Sequence, residues 1–404
     1  MEILKKLSPY FCVSNLSRQF VSLLSLKQFI GWEGMEKWLF RYGLRVVPVT
    51  KGSIGMGCIG YPRHPVIEVT SDCNLSCIHC HVGTEERGIT PPFDELSKVI
   101  KRIAAIKEFG MIVFTGGEPL VRPDLMDLIE VASKAGLYVV IATNGTLIDR
   151  EIARELKKRG VVGVAVSIDS ILPDLHDKIR GMEHVFEQAI RGIEACLEEK
   201  IVVQINVTAM KENANQIGQI MQWSDGVNAS IGLIYQLIPL GSGAFIKEQT
   251  LLVDENRKLM KLIKETQSRI KTIFEPVASP QYWPYLIASG NNAPLARKLA
   301  QWSFHGCSAG WGLLYMKANG DVWPCPFVNI SAGNAFQGDI KDIWEKSEVF
   351  TLLRDRENLK GACGECKFRN ICGGCRAKAL AYKGDFLAED PTCFVREDFD
   401  VLKS

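Results

Sequence analysis

The sequence predicts an α/β fold: a partial (β/α)6 TIM-like barrel followed by a cysteine-rich C-terminal domain. Three observations predict it. Between residues 65 and 272, short β-rich runs alternate six times with helical patterns. Those runs are nearly continuously apolar, as strands covered by helices on a parallel sheet are. Beyond them, seven of the 13 cysteines fall within residues 307–393. A chain of 404 residues has room for one large barrel and an appended module. A net charge of +2 gives no reason to expect nucleic acid as a partner.

The strand candidates are PVIEVT (65–70), MIVFTG (111–116), LYVVIAT (137–143), VVGVAVSID (161–169), VVQINVT (202–208) and IGLIYQLIP (231–239). Helical patterns follow near 93–108, 123–135, 149–159, 182–199, 213–224 and 254–272. Six units fall short of the eight of a closed barrel, so the barrel is expected to be open. Chemistry in such folds gathers at the C-terminal ends of strands. The unusual loops lie there: SDCNLSCIHCH after the first strand, TGGEP after the second, TNG after the third and SIDS at the end of the fourth.

Residues 273–306 read as a linker, with Pro276, Pro280, Pro284, Pro294 and the run GNN. Residues 307–404 form the last domain. Residues 1–64 read as an amphipathic helical extension. Within 1–50, seven Lys/Arg face three Asp/Glu, a local net of +4, among Phe20, Leu23, Leu24, Ile30, Trp38 and Leu39. Such a segment either lies on a membrane surface or packs as a cap on the protein. No uncharged run there is long enough to span a bilayer. The start of the chain lacks a secretory pattern, so a cytoplasmic location is expected, with the inner membrane face as the site of any peripheral contact. In that setting, closely spaced cysteines point to metal or redox chemistry more than to disulfides. The isolated Cys12, Cys58 and Cys196 read as incidental thiols.

Cys73, Cys77 and Cys80 gather three thiols in eight residues. Thiolates suit zinc or iron–sulfur clusters. With His79 or His81 as a fourth ligand the loop would make a zinc site. With three cysteines on a cluster, one iron would lack a protein ligand.

The Cx3Cx2C loop after a first strand, followed by Gly-Gly-Glu-Pro after the second, resembles the radical S-adenosylmethionine (radical SAM) enzymes. The resemblance implies that Cys73, Cys77 and Cys80 hold a [4Fe–4S] cluster whose fourth iron chelates S-adenosylmethionine. An electron from the cluster then cleaves this cofactor to methionine and a 5′-deoxyadenosyl radical, which abstracts hydrogen from a substrate. It also implies an external reductant of ferredoxin or flavodoxin type. Gly116 and Gly117 are expected to let backbone approach the ligand, and Glu118 to accept from its ammonium. Ser167 and Asp169 are expected at the ribose, with Asn144 and Arg180 as further contacts; a helix cap, a turn and a solvated charge are their plain alternatives. His79 stands where that family often has an aromatic residue.

Downstream, Cys307, Cys325, Cys363, Cys366, Cys372, Cys375 and Cys393 exceed the four ligands of one zinc site. Their pattern resembles the SPASM extension of radical SAM enzymes, which implies two auxiliary clusters. Cys363, Cys366, Cys372 and Cys393 would complete one. Cys307, Cys325 and Cys375 would hold the other, its fourth position open or filled by another group. The run around Cys375 and Cys393 is most similar to heme-pathway members. A large, partly apolar substrate is expected, tetrapyrrole or membrane lipid, with a peptide as the alternative and a non-catalytic electron-transfer protein as a different class.

Overall fold

The structure is a computed structural model that describes residues 64–82, 87–267, 269–270, 272–289 and 306–399. All but the last residue of the expected N-terminal extension, and with it the choice between membrane contact and packed cap, lie outside the described residues.

One sheet carries the fold. Its strands are β1 (His64–Glu68), β2 (Met111–Thr115), β3 (Tyr138–Thr143), β4 (Val161–Ser167), β5 (Val202–Ala209), β6 (Ile231–Gln236), β7 (Ile273–Val277), β8 (Leu313–Met316) and β9 (Val322–Trp323). They lie in the order β7-β6-β5-β4-β3-β2-β1-β8-β9. Every pair from β7 to β8 is parallel, and β9 runs antiparallel to β8. The six expected strands are present in sequence order, curled as a half-barrel.

Helices cover the outer face: α1 (Phe93–Ala104), α2 (Leu125–Lys134), α3 (Arg150–Arg159), α4 (Pro173–Arg180), α5 (Val185–Glu198), α6 (Ile217–Gly226) and α7 (Val253–Gln267). The period-two alternation of the strands sorts side chains between two cores. Ile67, Ile112, Phe114, Val139 and Ile141 point outward and pack with helical residues such as Leu96, Ile100, Leu128 and Leu156. Val66, Met111, Val113 and Val140 point inward, where Leu313 and Tyr315 of β8 join them. The inner face turns polar along β4 and β5, where Ser167, Gln204, Asn206 and Thr208 border a cleft.

Two features differ from the expectation. Part of the stretch read as a linker forms β7 and α8 (Tyr282–Ser289). Pro276 concealed the strand, yet among the described strands β7 lies at the edge beside β6, where a missing N–H is tolerated. The C-terminal domain is also joined to the barrel, because β8 extends the sheet beside β1 with His64 opposite Leu313 and Ile67 opposite Met316. Among the described residues no helix is long and apolar enough to cross a membrane.

A second joint lies on the outer face. Trp344 of α9 (Ile340–Lys346) is buried against Phe109 and Phe350, with ring centroids 5.0 and 5.2 Å away. Its Nε1 donates to Glu108 Oε2 at 2.9 Å. Nearby, Arg102 of α1 donates to the Gly338 carbonyl at 2.9 Å. Trp344→Ala is expected to destabilise the protein by about 3–5 kcal/mol. Denaturant unfolding followed by far-UV circular dichroism checks this, and a loss below about 1 kcal/mol would mean that the joint carries little.

Candidate active site

The cysteine loop leaves β1 and is held from two sides by backbone. On one side lies TGGEP: Gly117 N donates to Thr70 O at 2.9 Å and Glu118 N to Asp72 O at 2.8 Å. A Cβ on Gly116 would stand 2.1 Å from Thr70 O, and one on Gly117 2.2 Å from Asp72 O. These glycines therefore serve first to let the two loops touch, although both also border the cleft. On the other side lies the end of α4. Ile78 N donates to Ile179 O at 3.0 Å. Gly181, with φ at +73° and its Cβ position 2.4 Å from Ser76 O, permits that approach.

The loop gathers the three thiols of Cys73, Cys77 and Cys80: Cys77 and Cys80 add to the raised pKa of Cys73, and Cys80 to that of Cys77. Burial is the larger cause and pushes the Cys73 thiol up to about 11; Cys77 is raised for the same reason, against the pull of the Arg180 guanidinium. Arg180 Nη1 donates to Cys77 Sγ at 3.7 Å, and its Nη2 lies 2.7 Å from Asp169 Oδ2. Asp169 Oδ2 also meets His79 Nε2 at 2.7 Å, while Oδ1 accepts from Thr208 N at 2.8 Å. Burial alone would raise the Asp169 carboxyl, but Arg180 and His79 hold it well below the usual carboxylate range.

Asp169 has a task within the protein. It is fully buried and both oxygens are engaged, so it anchors Arg180 and His79. The Arg180 Nε–H, by contrast, is buried without a partner. A guanidinium held in this way with a spare donor fits an anionic or carbonyl group of a bound cofactor.

Glu118 and Asn144 also have tasks within the protein. The buried Glu118 accepts from Leu120 N at 3.1 Å, Thr143 Oγ1 at 2.7 Å and Asn144 N at 2.7 Å, which ties the loops after β2 and β3 together. That leaves about one acceptor position for a ligand. Asn144 borders the cleft and donates to Asn74 Oδ1 at 2.8 Å, bracing the residue beside Cys73.

The cleft encloses about 2100 Å³, including the part open to solvent. Cys73, Cys77, Cys80, Ser167 and Arg180 border it, and so do Cys307, Cys325 and Cys375. These three C-terminal thiols interact with one another, and burial drives Cys325 well above the usual thiol range. Cys363, Cys366, Cys372 and Cys393 form a separate mutually interacting set around a smaller cleft. The structure therefore groups these cysteines in the three sets that the resemblance implied. All ten of these cysteines are free of disulfides. Buried thiols in sets of three and four are a donor chemistry that fits iron–sulfur clusters, since metal removes the proton that burial retains. No three metal-binding side chains among the described residues converge tightly enough for a single ion, as a structural zinc would need.

An aromatic wall had no signal in the sequence motifs. Tyr235, Phe327, Tyr315 and His81 all border the cleft that both thiol sets share. The His81 and Phe327 ring centroids are 5.1 Å apart, and those of Tyr235 and Phe327 6.2 Å. Burial, with nearby positive charge, pulls the His81 ring down to about 4, so it is neutral at pH 7. Tyr315 OH donates to the buried Glu68.

Comparisons with known proteins agree with this arrangement. The Radical SAM superfamily model matches residues 67–224, and the SPASM model, an iron–sulfur cluster-binding domain, matches 307–367. An AdoMet-dependent heme synthase of Methanosarcina barkeri is 33% identical over 83% of this chain and 97% of its own. A PqqA peptide cyclase of Bradyrhizobium diazoefficiens is 28% identical over 83% of this chain and 86% of its own. Among solved structures, Streptococcus suis SuiB bound to S-adenosylmethionine superposes with a TM-score of 0.65 at 19% identity, over 82% of this chain and 77% of that one. That likeness speaks to the fold.

Asp169→Asn removes the carboxylate that pairs with the buried Arg180 guanidinium and is expected to destabilise the protein by about 3–5 kcal/mol at pH 7. Because the Asp169 pKa is depressed by folding, its contribution is full above the unfolded value of about 3.9 and is lost only as pH falls through the lower folded value. The difference between wild type and variant, read from urea unfolding, should stay constant from about pH 7 to about pH 5. Equal stabilities at pH 7 would contradict the anchoring role.

Proposed function

We propose a substrate and a division of labour for this chain, which belongs to the radical SAM superfamily and carries a SPASM extension. It is an enzyme of S-adenosylmethionine and iron–sulfur clusters. The substrate is a tetrapyrrole, and the reaction begins by abstraction of hydrogen from an unactivated C–H of a side chain. Cys73, Cys77 and Cys80 hold the radical SAM cluster. Cys307, Cys325 and Cys375 hold a first auxiliary cluster, and Cys363, Cys366, Cys372 and Cys393 a second. When bound, the first of these supplies an electron that splits S-adenosylmethionine to methionine and the hydrogen-abstracting 5′-deoxyadenosyl radical.

The chain's own residues bind and orient. Gly116, Gly117 and Ser167 border the part of the cleft where the cofactor is placed, with Arg180 offering its free Nε–H. Glu118 and Asn144 keep the loops in register and leave limited acceptor capacity for the cofactor ammonium. Asp169 holds Arg180 and His79 in position. The electron comes from an external reductant of ferredoxin or flavodoxin type.

One observation supports the tetrapyrrole reading most: a single cleft joins two thiol sets across a wall of Tyr235, Phe327, Tyr315 and neutral His81. An aromatic wall suits a planar conjugated ring, which stacks on it edge-on or offset. Val66, Met111, Val113, Val140 and Leu313 add apolar surface, and Gln204, Asn206 and Thr208 offer hydrogen bonds to polar substituents. The name of the relative at 33% identity points the same way. The peptide reading draws support from the relative at 28% identity. The lipid reading rests on the basic N-terminal segment, outside the described residues.

The test is deuterium transfer. With the reconstituted protein, dithionite and S-adenosylmethionine, an iron porphyrin deuterated in its propionate side chains is expected to deliver deuterium to 5′-deoxyadenosine. Transfer from a deuterated peptide or acyl chain, with none from the porphyrin, would overturn the substrate assignment. A Cys73→Ala/Cys77→Ala/Cys80→Ala variant should lose cofactor cleavage and keep its C-terminal iron. Phe327→Ala should weaken porphyrin binding about 2- to 10-fold in an optical titration.

A further inference from the structure

The two C-terminal thiol sets meet at one point. The loop Cys372-Gly373-Gly374-Cys375 gives its first cysteine to the outer set and its last to the set facing the cleft. Cys307 N donates to Cys372 O at 3.0 Å, a direct backbone link between the sets. Gly373 and Gly374 have φ of +69° and +60°, and a Cβ on Gly373 would lie 2.1 Å from Arg356 Nη1. On Gly374 it would lie 2.5 Å from Arg376 Nη2 and 2.8 Å from Cys363 Sγ. The loop is glycine on its inner turn because two guanidinium groups occupy that space.

Neither guanidinium donates its described hydrogen bonds to a carboxylate. Arg356 Nη2 donates to Cys307 O at 2.6 Å. Arg376, fully buried, donates to the carbonyls of Gly374, Phe386 and Ala388 and to Cys363 Sγ at 3.7 Å. Two carboxylates stand nearby: Asp385, which interacts electrostatically with Arg376 while its oxygens accept from Lys360 Nζ and Leu387 N, and Asp390, whose oxygens accept from Cys375 N, Thr392 N and Thr392 Oγ1. Arg356 interacts electrostatically with Cys307, Cys372 and Cys363, and is repelled by Arg376. Carbonyls satisfy donors without neutralising charge, and two like charges set together in low dielectric need an anionic counterpart. Thiolate-ligated clusters are anionic, and their potentials respond to net charge and to hydrogen bonds at sulfur.

We propose that Arg356 and Arg376 are the built-in counter-charges of the two auxiliary clusters and set their reduction potentials, Arg356 acting on both and Arg376 on the outer one. This rests on the two-cluster reading above. A positive charge beside an anionic cluster favours its reduced form, so each arginine raises the potential of the cluster it touches.

The test is a potentiometric titration of the full-length reconstituted protein, followed by electron paramagnetic resonance, with iron counted. Wild type comes first: fewer than two auxiliary clusters would sink the cluster reading itself. With two present, Arg356→Gln should lower both auxiliary midpoints, Arg376→Gln should lower one, and Arg356→Lys should stay near wild type. Unchanged midpoints in Arg356→Gln with full iron would overturn the proposal and leave the cluster reading standing. If Arg356→Gln loses auxiliary iron, Arg356→Lys decides: restored iron with wild-type midpoints supports the charge role, and loss in both variants makes the residue a matter of shape and overturns it.

Discussion

Burial of thiol groups is the constraint on which the rest of this structure depends. A free thiol taken out of water keeps its proton, and the shifts of Cys73, Cys325 and Cys372 all have burial as their largest cause. Such groups become useful when a metal replaces the proton, so the fold and its clusters are coupled. The chain must then supply close-packed backbone to surround the thiols and positive charge to balance them. The glycine pairs 116–117 and 373–374 do the first, by letting main chain and guanidinium groups approach where a Cβ would collide. Arg180, Arg356 and Arg376 do the second, one near the cysteine loop and two near the C-terminal sets.

The barrel converts these local arrangements into a shared site. Strand ends place the cysteine loop, TGGEP and the loop after β3 side by side, and Glu118 fastens them through backbone and hydroxyl donors. Because β8 pairs with β1, Cys307, Cys325 and Cys375 border the same cleft as the cysteine loop, while the other four C-terminal cysteines surround the smaller one. The aromatic wall lines the same cleft, formed by β6, β8, the cysteine loop and the segment after Cys325. The geometry therefore suits chemistry in which one thiol-bound group starts a reaction and another lies within reach of the same substrate.

Much of this was legible in the residues. Six strands followed from apolar runs spaced by helical patterns, and the three cysteine sets from spacing and resemblance. The seventh strand was hidden by Pro276, because an edge strand tolerates a residue that normally argues against a sheet. β8 is only four residues long and sits in a region whose cysteines dominate the reading. The task of Asp169 was not visible, since its partner His79 lies 90 residues away. Local sequence suggested a sugar-binding acid or a cap, and tertiary contact made it an anchor. Gly116 and Gly117 signalled close approach correctly, but the nearest approaching group is the neighbouring loop. Arg356 and Arg376 carry no motif, and their role emerges from the space that glycines leave for them.

The central claim is that the first thiol set holds a cluster one protein ligand short and that S-adenosylmethionine completes it. Electron–nuclear double resonance on the reduced protein, with S-adenosylmethionine carrying 15N in its amino group and 17O in its carboxylate, tests this most directly. Hyperfine coupling of both nuclei to one cluster is expected, absent when Cys73, Cys77 and Cys80 are replaced by alanine. Bound cofactor with no coupling to any cluster would contradict it.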